Sequence, residues 1–172
     1  AFFRENLWHP KAKNPTGPKD MLQVWFPGSH GDVGGGYPES DSGLAKVALE
    51  WMLREAQAEG LLTIPEREAR ILGRAGGNYV KPDAKAPVHN SLRGVFWRLA
   101  QLIPKKQWER RTVDGKETWV QRRRINLSGR RKIPAGAHIH ETAFARDEAY
   151  IAKLPQDAVR VTTLPAPTSD TR

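Results

Sequence analysis

An apolar hexapeptide, a glycine-rich loop and an amphipathic stretch follow one another between residues 21 and 60, and this order constrains the fold most strongly. Residues 21–26 (MLQVWF) are almost continuously apolar, which predicts a strand buried on both faces, as in a parallel sheet covered by helices. A Pro-Gly pair ends the strand, and the loop that follows contains Gly31 and the triplet Gly34, Gly35 and Gly36. A strand–loop–helix unit is the repeating module of α/β folds, so we expect an α/β fold.

The clearest predicted helix covers residues 42–60. Apolar residues recur there at the i, i+3, i+4, i+7 spacing of one buried stripe, which comprises Leu44, Val47, Ala48, Trp51, Met52 and Ala56. Ser40, Asp41 or Ser42 can cap the start of this helix, and Gly60 suits the C′ position after its end. On the exposed side we expect an i, i+4 ion pair between Glu50 and Arg54.

Further patterns continue along the chain. A capping box of Thr63 and Glu66 predicts a short helix over 63–72, and a second apolar stripe predicts a helix over 91–103. The pair Asp114-Gly115 separates two strand-like runs and predicts a β-hairpin. A last helix is expected within 141–154, whereas the composition after Pro155 predicts a loose tail.

These patterns divide the chain into three predicted parts. Residues 1–80 would form the end of an α/β core, residues 81–155 a basic helix and hairpin extension that packs on the core, and residues 156–172 a flexible tail. The chain starts in the middle of a pattern and without a methionine, so we expect it to belong to a longer protein.

Positive charge is concentrated in one segment. The chain carries a net charge of +9, and residues 105–132 alone carry eleven Lys and Arg against three acidic residues, a net +8. An anionic partner such as a membrane surface or a nucleic acid would meet this segment, in particular its two clusters Arg122, Arg123, Arg124 and Arg130, Arg131, Lys132. A solvated basic surface without a partner is equally compatible with this pattern.

Several classes of protein and site are excluded or disfavoured. The chain has no cysteine, which excludes disulfides, thiolate metal sites and thiol nucleophiles. No apolar run approaches the roughly 20 residues of a membrane span, and no signal-peptide pattern is present. His138 and His140 share a strand face and could in principle bind a metal, but without nearby carboxylates a hydrogen-bonded role is favoured. We therefore expect neither a metal nor a cofactor.

His30 is the strongest candidate for chemistry. It follows the predicted strand by four residues, and ligand sites of open α/β sheets form at the carboxyl ends of the strands. A histidine there can transfer protons near neutral pH if a partner orients it. Gly34, Gly35 and Gly36 would let the backbone turn and keep bulk away from a substrate.

Ser29, His30 and Asp32 are not expected to form a triad by themselves, because neighbouring side chains of an extended loop diverge. Asp32 is expected instead to fix the loop by accepting hydrogen bonds from backbone N–H groups. A phosphate-binding role is disfavoured, because the run GDVGGGY matches neither the P-loop nor the dinucleotide fingerprint. The chain also contains no G-x-S-x-G nucleophile elbow.

The run VWFPGSHGDVGGGYPES, with the helix after it, resembles the carboxyl-terminal part of the formerly uncharacterised α/β-hydrolase domain family, which includes type VI secretion phospholipase effectors. The resemblance spans about residues 1–155, and its most specific element is His-x-Asp-Val-Gly-Gly-Gly-Tyr at residues 30–37. It implies the carboxyl-terminal portion of an α/β-hydrolase-like fold with a mixed helix and hairpin extension. One departure is Gly31, where the family more usually has a short residue such as serine, and we expect it to change the stiffness of the loop.

The resemblance also implies a function. In that family a serine attacks, an aspartate is the acid, and the histidine of this motif is the base, so only His30 can be assigned here. The serine and the acid would precede Ala1, in the missing amino-terminal half, and the chain alone would be inactive. The substrate would be a lipid or another ester, with no cofactor. The protein would be made in the cytoplasm and delivered into a target cell, which implies a secretion-apparatus or immunity partner.

Two other functions stay open. The chain could be a non-enzymatic basic module that binds an anionic membrane or nucleic acid, although nucleic acid is not the favoured partner. It could also be an inactive remnant of a hydrolase.

Overall fold

The computed structural model describes residues 21–89, 105–113, 116–124 and 133–167. The chain forms two compact units, one of Ala1–Met21 with Asn90–Lys132 and the other of Leu22–His89 with Ile133–Arg172. The predicted helix over 91–103 and the basic cluster Arg130, Arg131 and Lys132 lie outside the described residues. The predicted boundaries at 80 and 155 stay a prediction.

A three-stranded parallel sheet lies in the second unit. Strand β1 (Val24–Trp25) pairs with β4 (His138–His140), and β4 pairs with β5 (Val159–Val161). The order is β1-β4-β5, with Val24 opposite His138 and His138 opposite Val159. The small parallel sheet with its helices is compatible with the predicted α/β class.

The prediction that residues 21–26 are buried on both faces is wrong. Only Val24–Trp25 form a strand, both residues are half-buried, and Leu22 is 42% exposed. Within the described sheet β1 is an edge strand that pairs on one side only. Phe26 is fixed by two aromatic contacts, because its ring stacks on His140 at 4.7 Å and meets Trp51 edge-on at 5.5 Å.

The long helix α2 covers Gly43–Ala58 and buries four residues of the predicted stripe, namely Leu44, Val47, Ala48 and Trp51. Met52 is 56% exposed, so its predicted burial is wrong. Arg54 continues the stripe instead, because it lies three residues after Trp51 and is only 3% exposed. The Glu50–Arg54 pair exists at 3.8 Å, but it does not lie on an exposed face as predicted.

Backbone and side-chain contacts define the two ends of α2. The Ser42 hydroxyl donates to the carbonyl of Glu39, and no side chain caps the start of the helix. Gly60 occupies C′ with φ 93°. Its N–H donates to the carbonyl of Gln57, and the N–H of Leu61 donates to the carbonyl of Ala56. This is the Schellman arrangement that glycine at C′ favours, as predicted.

The short helix α3 covers Pro65–Ile71, inside the predicted range. The capping box of Thr63 and Glu66 is not formed, because Ile64 occupies the N-cap and the Thr63 hydroxyl donates to Glu68 instead. Glu68 also accepts from buried Arg54 at 2.5 Å. Burial alone would raise the pKa of Glu68, but the hydrogen bonds from Arg54, Thr63 and Gln57 lower it on balance.

The described part of the first unit is a β-hairpin. Strands β2 (Lys105–Val113) and β3 (Lys116–Arg124) pair antiparallel, from Lys105 opposite Arg124 to Val113 opposite Lys116. The two strands confirm the predicted hairpin, while the connecting Asp114-Gly115 lies outside the described residues.

The predicted last helix within 141–154 is present, but it is short. This range forms a 3-10 turn at Glu141–Ala143 and a one-turn helix, α4 (Glu148–Ile151), which begins where Asp147 accepts the N–H of Tyr150 at 2.8 Å. The prediction of a loose tail is wrong for Val159–Val161, which form β5. Next to these strands a small core buries Ala137, Ile139 and Ala143.

Candidate functional site

His30 lies where the sequence predicts, beyond the carboxyl end of a strand of a parallel sheet. It is the first residue of a five-residue helix, α1 (His30–Gly34), which replaces the extended loop expected there. Its side chain is exposed, and it has no hydrogen bond, ion pair or ring contact with the part of the chain that the structure describes. The imidazole is therefore accessible, and any group that orients it lies outside the described residues.

Asp32 is the opposite case, because its carboxylate is fully buried. One oxygen, Oδ2, accepts the N–H of Ser29 at 2.6 Å and the N–H of His89 at 3.1 Å. The other, Oδ1, lies 2.6 Å from Nδ1 of His89. As expected, Asp32 accepts backbone N–H groups rather than binding His30. Burial alone would raise the pKa of Asp32, but the hydrogen bonds from Ser29 and His89 outweigh it and lower the pKa.

His89 is a residue of this site that sequence reasoning missed. Its ring stacks on Tyr37 with 3.8 Å between centroids, and the Tyr37 hydroxyl lies 3.2 Å from the Ser29 hydroxyl. Ser29, Asp32, Tyr37 and His89 thus form one connected cluster around α1, which we call the loop cluster. His89 comes 57 residues after Asp32 in an irregular segment, and no local pattern indicates this contact.

Because of this cluster, a side chain is excluded at Gly28 and crowded at Gly31. A Cβ at Gly28 would lie 2.4 Å from Cβ of Asp32, and φ there is 121°. A Cβ at Gly31 would lie 2.6 Å from Cε2 of Tyr37. The departure at Gly31 therefore concerns the packing of Tyr37 as well as the stiffness of the loop. The triplet Gly34–Gly36 faces open space, because a Cβ added at any of the three would have no heavy atom within 4 Å among the described residues.

His140, the second histidine of the pair suggested for a metal, is a buried hydrogen-bonded residue. Its Nδ1 and Nε2 each lie 2.9 Å from a threonine hydroxyl, those of Thr142 and Thr163, while His138 is exposed. Burial lowers the pKa of His140. The described ranges contain no group of three or more His, Cys, Asp or Glu that could hold a metal.

A groove of about 440 Å³ lies beside His140, between α2 and the residues after β5. Its lining includes Glu50, Arg54, Arg74 and Thr163, but no residue of the His30–Tyr37 segment. The groove therefore does not coincide with the candidate proton-transfer residue.

Three of the predicted anion-binding residues lie on β3. Arg124 is opposite Lys105, Arg123 is opposite Lys106, and Arg122 is opposite Gln107. Arg123 is exposed. Within the described part of the chain, no helix is long and apolar enough to cross a membrane.

Comparison with known proteins links the segment that contains His30 to a family. A family model described as "T6SS, Phospholipase effector Tle1-like, catalytic domain" matches residues 1–55. A stretch of 40 residues is 45% identical to an uncharacterised protein of Saccharomyces cerevisiae, and it covers 22% of this chain and only 6% of the yeast protein. No solved structure matches the chain. Residues 1–55, which carry His30, Asp32 and Tyr37, are thus similar to the catalytic domain of type VI secretion phospholipase effectors.

Proposed function

We propose that this chain is the carboxyl-terminal part of a serine-type α/β-hydrolase that cleaves lipid esters, and that His30 is its catalytic base. The observation that carries the proposal is an exposed histidine five residues beyond the carboxyl end of a parallel strand, within the segment similar to a phospholipase catalytic domain. An accessible imidazole at such a strand end can exchange protons with a bound substrate.

In the proposed reaction His30 acts twice. A serine in the upstream part of the protein attacks the ester carbonyl while His30 takes the proton of its hydroxyl. His30 then passes that proton to the leaving alcohol, and an acyl-enzyme remains. Water hydrolyses the acyl-enzyme by the same route, with His30 again as the base. The carboxylate that orients His30 is proposed to come from the upstream part as well, because Asp32 is occupied by Ser29 and His89.

The test is hydrolysis of phospholipid vesicles by the full-length protein, followed as release of fatty acid. A fluorophosphonate probe should label one serine upstream of this chain and abolish hydrolysis, whereas heat-denatured protein should not be labelled. The chain of 172 residues by itself should neither hydrolyse the vesicles nor react with the probe. Hydrolysis that persists after complete labelling, or an unlabelled full-length protein, would contradict the proposal.

A second proposal concerns the basic hairpin, which would bind an anionic membrane surface. Its support is the register of β2 and β3, in which Lys105 and Lys106 lie directly opposite Arg124 and Arg123. Like charges directly opposite each other destabilise a hairpin, whereas anionic headgroups would neutralise them. Such a surface would suit an effector that is made in the cytoplasm and delivered to the membrane of a target cell, and that has a secretion-apparatus or immunity partner.

Neutralising Arg122, Arg123 and Arg124 together to glutamine should weaken binding to phosphatidylserine vesicles about a hundredfold at low salt, since each basic residue near the surface contributes about 1 kcal/mol. It should also flatten the salt dependence of binding, measured by vesicle sedimentation. The matched control replaces three exposed lysines of the other unit by glutamine, namely Lys81, Lys85 and Lys153. If both variants lost the same vesicle affinity, the net charge of the protein would explain the binding, and a specific site on the hairpin would be refuted.

A further inference from the structure

We propose that His89 is a positioning residue that holds the segment carrying His30 in its working geometry. The proposal rests on the function proposed above, and it concerns a residue outside the segment similar to the phospholipase family. His89 contacts Asp32 and Tyr37, two residues of the His-x-Asp-Val-Gly-Gly-Gly-Tyr motif, and leaves His30 itself free.

The contact with Asp32 is bidentate. His89 places its backbone N–H 3.1 Å from Oδ2 and its ring Nδ1 2.6 Å from Oδ1 of the same carboxylate. A substitution of His89 keeps the backbone donor and removes only the ring donor. Because Asp32 is only 2% exposed, the loss of a direct partner of its carboxylate is costly. Asp32 in turn accepts the N–H of Ser29, the residue immediately before His30. One side chain therefore connects a distant segment to the backbone that orients the candidate base.

The second contact of His89 is with Tyr37, the last residue of the motif. The His89 ring stacks on Tyr37 with 20° between the planes, and the Tyr37 ring lies against Gly31, next to His30. His89 thus touches residues on both sides of the glycine triplet. This accounts for the aspartate and the tyrosine of the motif, which have no direct part in proton transfer by His30.

The segment that carries His89 is itself anchored. The N–H of Asp83 donates to the carbonyl of Gly43, at the start of α2. Arg146 donates to the carbonyls of Ala84 and Ala86 at 2.8 and 3.3 Å. These contacts hold residues 83–86, which lie shortly before His89, against two other parts of the same unit.

The test compares His89→Ala with His89→Asn in the full-length protein. Asparagine places an N–H donor where the ring Nδ1 lies, so it can keep the hydrogen bond to Asp32 but cannot accept or release a proton at neutral pH. His89→Ala should speed amide exchange of Ser29 about tenfold, the loss of roughly one hydrogen bond, while amides of α2 keep their rates. It should also lower kcat for ester hydrolysis about tenfold with little change in KM. In His89→Asn, both the slow amide exchange of Ser29 and kcat should be close to those of the unmodified protein.

Each outcome decides the question. Unchanged exchange of Ser29 in His89→Ala would overturn the positioning role, as would loss of kcat in His89→Asn with Ser29 still protected. The second result would mean that His89 and Asp32 transfer protons themselves, since a buried carboxylate on Nδ1 is also the arrangement of a catalytic dyad. If the unmodified protein hydrolyses no ester, the proposed function fails, and amide exchange alone still decides whether His89 fixes the segment.

Discussion

Replacing His30 with alanine is expected to lower kcat/KM for ester hydrolysis by the full-length protein by about three orders of magnitude, because the serine would lose its only base. The free energy of unfolding should change by less than about 0.5 kcal/mol, since the ring is exposed and has no partner in the described residues. The variant would therefore be folded and inactive. The measurement is release of fatty acid from vesicles, paired with urea unfolding.

His138→Ala is the matched control, because it removes another exposed histidine, which lies in the middle strand of the same sheet. It should keep both activity and stability. If His30→Ala retained turnover within a few-fold of the unmodified protein, His30 could not be the base. If it lost activity only together with its fold, the residue would be structural.

Replacing Asp32 with alanine is expected to lower the free energy of unfolding strongly, in contrast to His30→Ala, which should lower activity alone. The substitution leaves the N–H groups of Ser29 and His89 and the ring of His89 without their acceptor in a buried site. Each buried hydrogen-bonding group that is left without a partner costs about 1–3 kcal/mol, so we expect the free energy of unfolding to fall by about 3 kcal/mol. Activity should fall as well, because the backbone before His30 loses its support.

Urea unfolding at pH 7 measures this loss, and Asp157→Ala provides the control at an exposed aspartate. The pH dependence gives a second measurement. Because hydrogen bonds lower the pKa of Asp32 below 3.8, its contribution is complete above about pH 4 and is lost as the pH falls through the folded-state pKa. The acid-induced loss of stability should therefore be shallower in Asp32→Ala. A cost as small as that of Asp157→Ala would show that the loop cluster does not stabilise the fold.

Patterns over a few neighbouring residues correctly predicted the elements that depend on interactions between near neighbours in the sequence. The helix after the glycine loop, its glycine C′ position and the hairpin all follow from side-chain periodicity and turn preference over a few residues. The position of His30 beyond a parallel strand follows from the same module. The match over residues 1–55 agrees with the family resemblance of this part.

The errors arise where distant residues decide the structure. Strand β5 has only three residues, too few for an alternating pattern, and it exists because β4 offers it a partner. Arg54 is buried because Glu68, on the next helix, accepts a hydrogen bond from its guanidinium group. Likewise, nothing around His89 in the sequence indicates that Asp32 needs a second donor. Such contacts depend on tertiary structure, which periodicity does not report.

The order of the sheet has a consequence for biosynthesis. The middle strand, β4, is translated long after β1, and β5 follows later still. At about 5–20 residues per second, the interval between translation of the first strand and the last is on the order of ten seconds. Until then the apolar residues around β1 and α2 lack the partners that cover them. A nascent chain of this kind would be a substrate for chaperones throughout that interval.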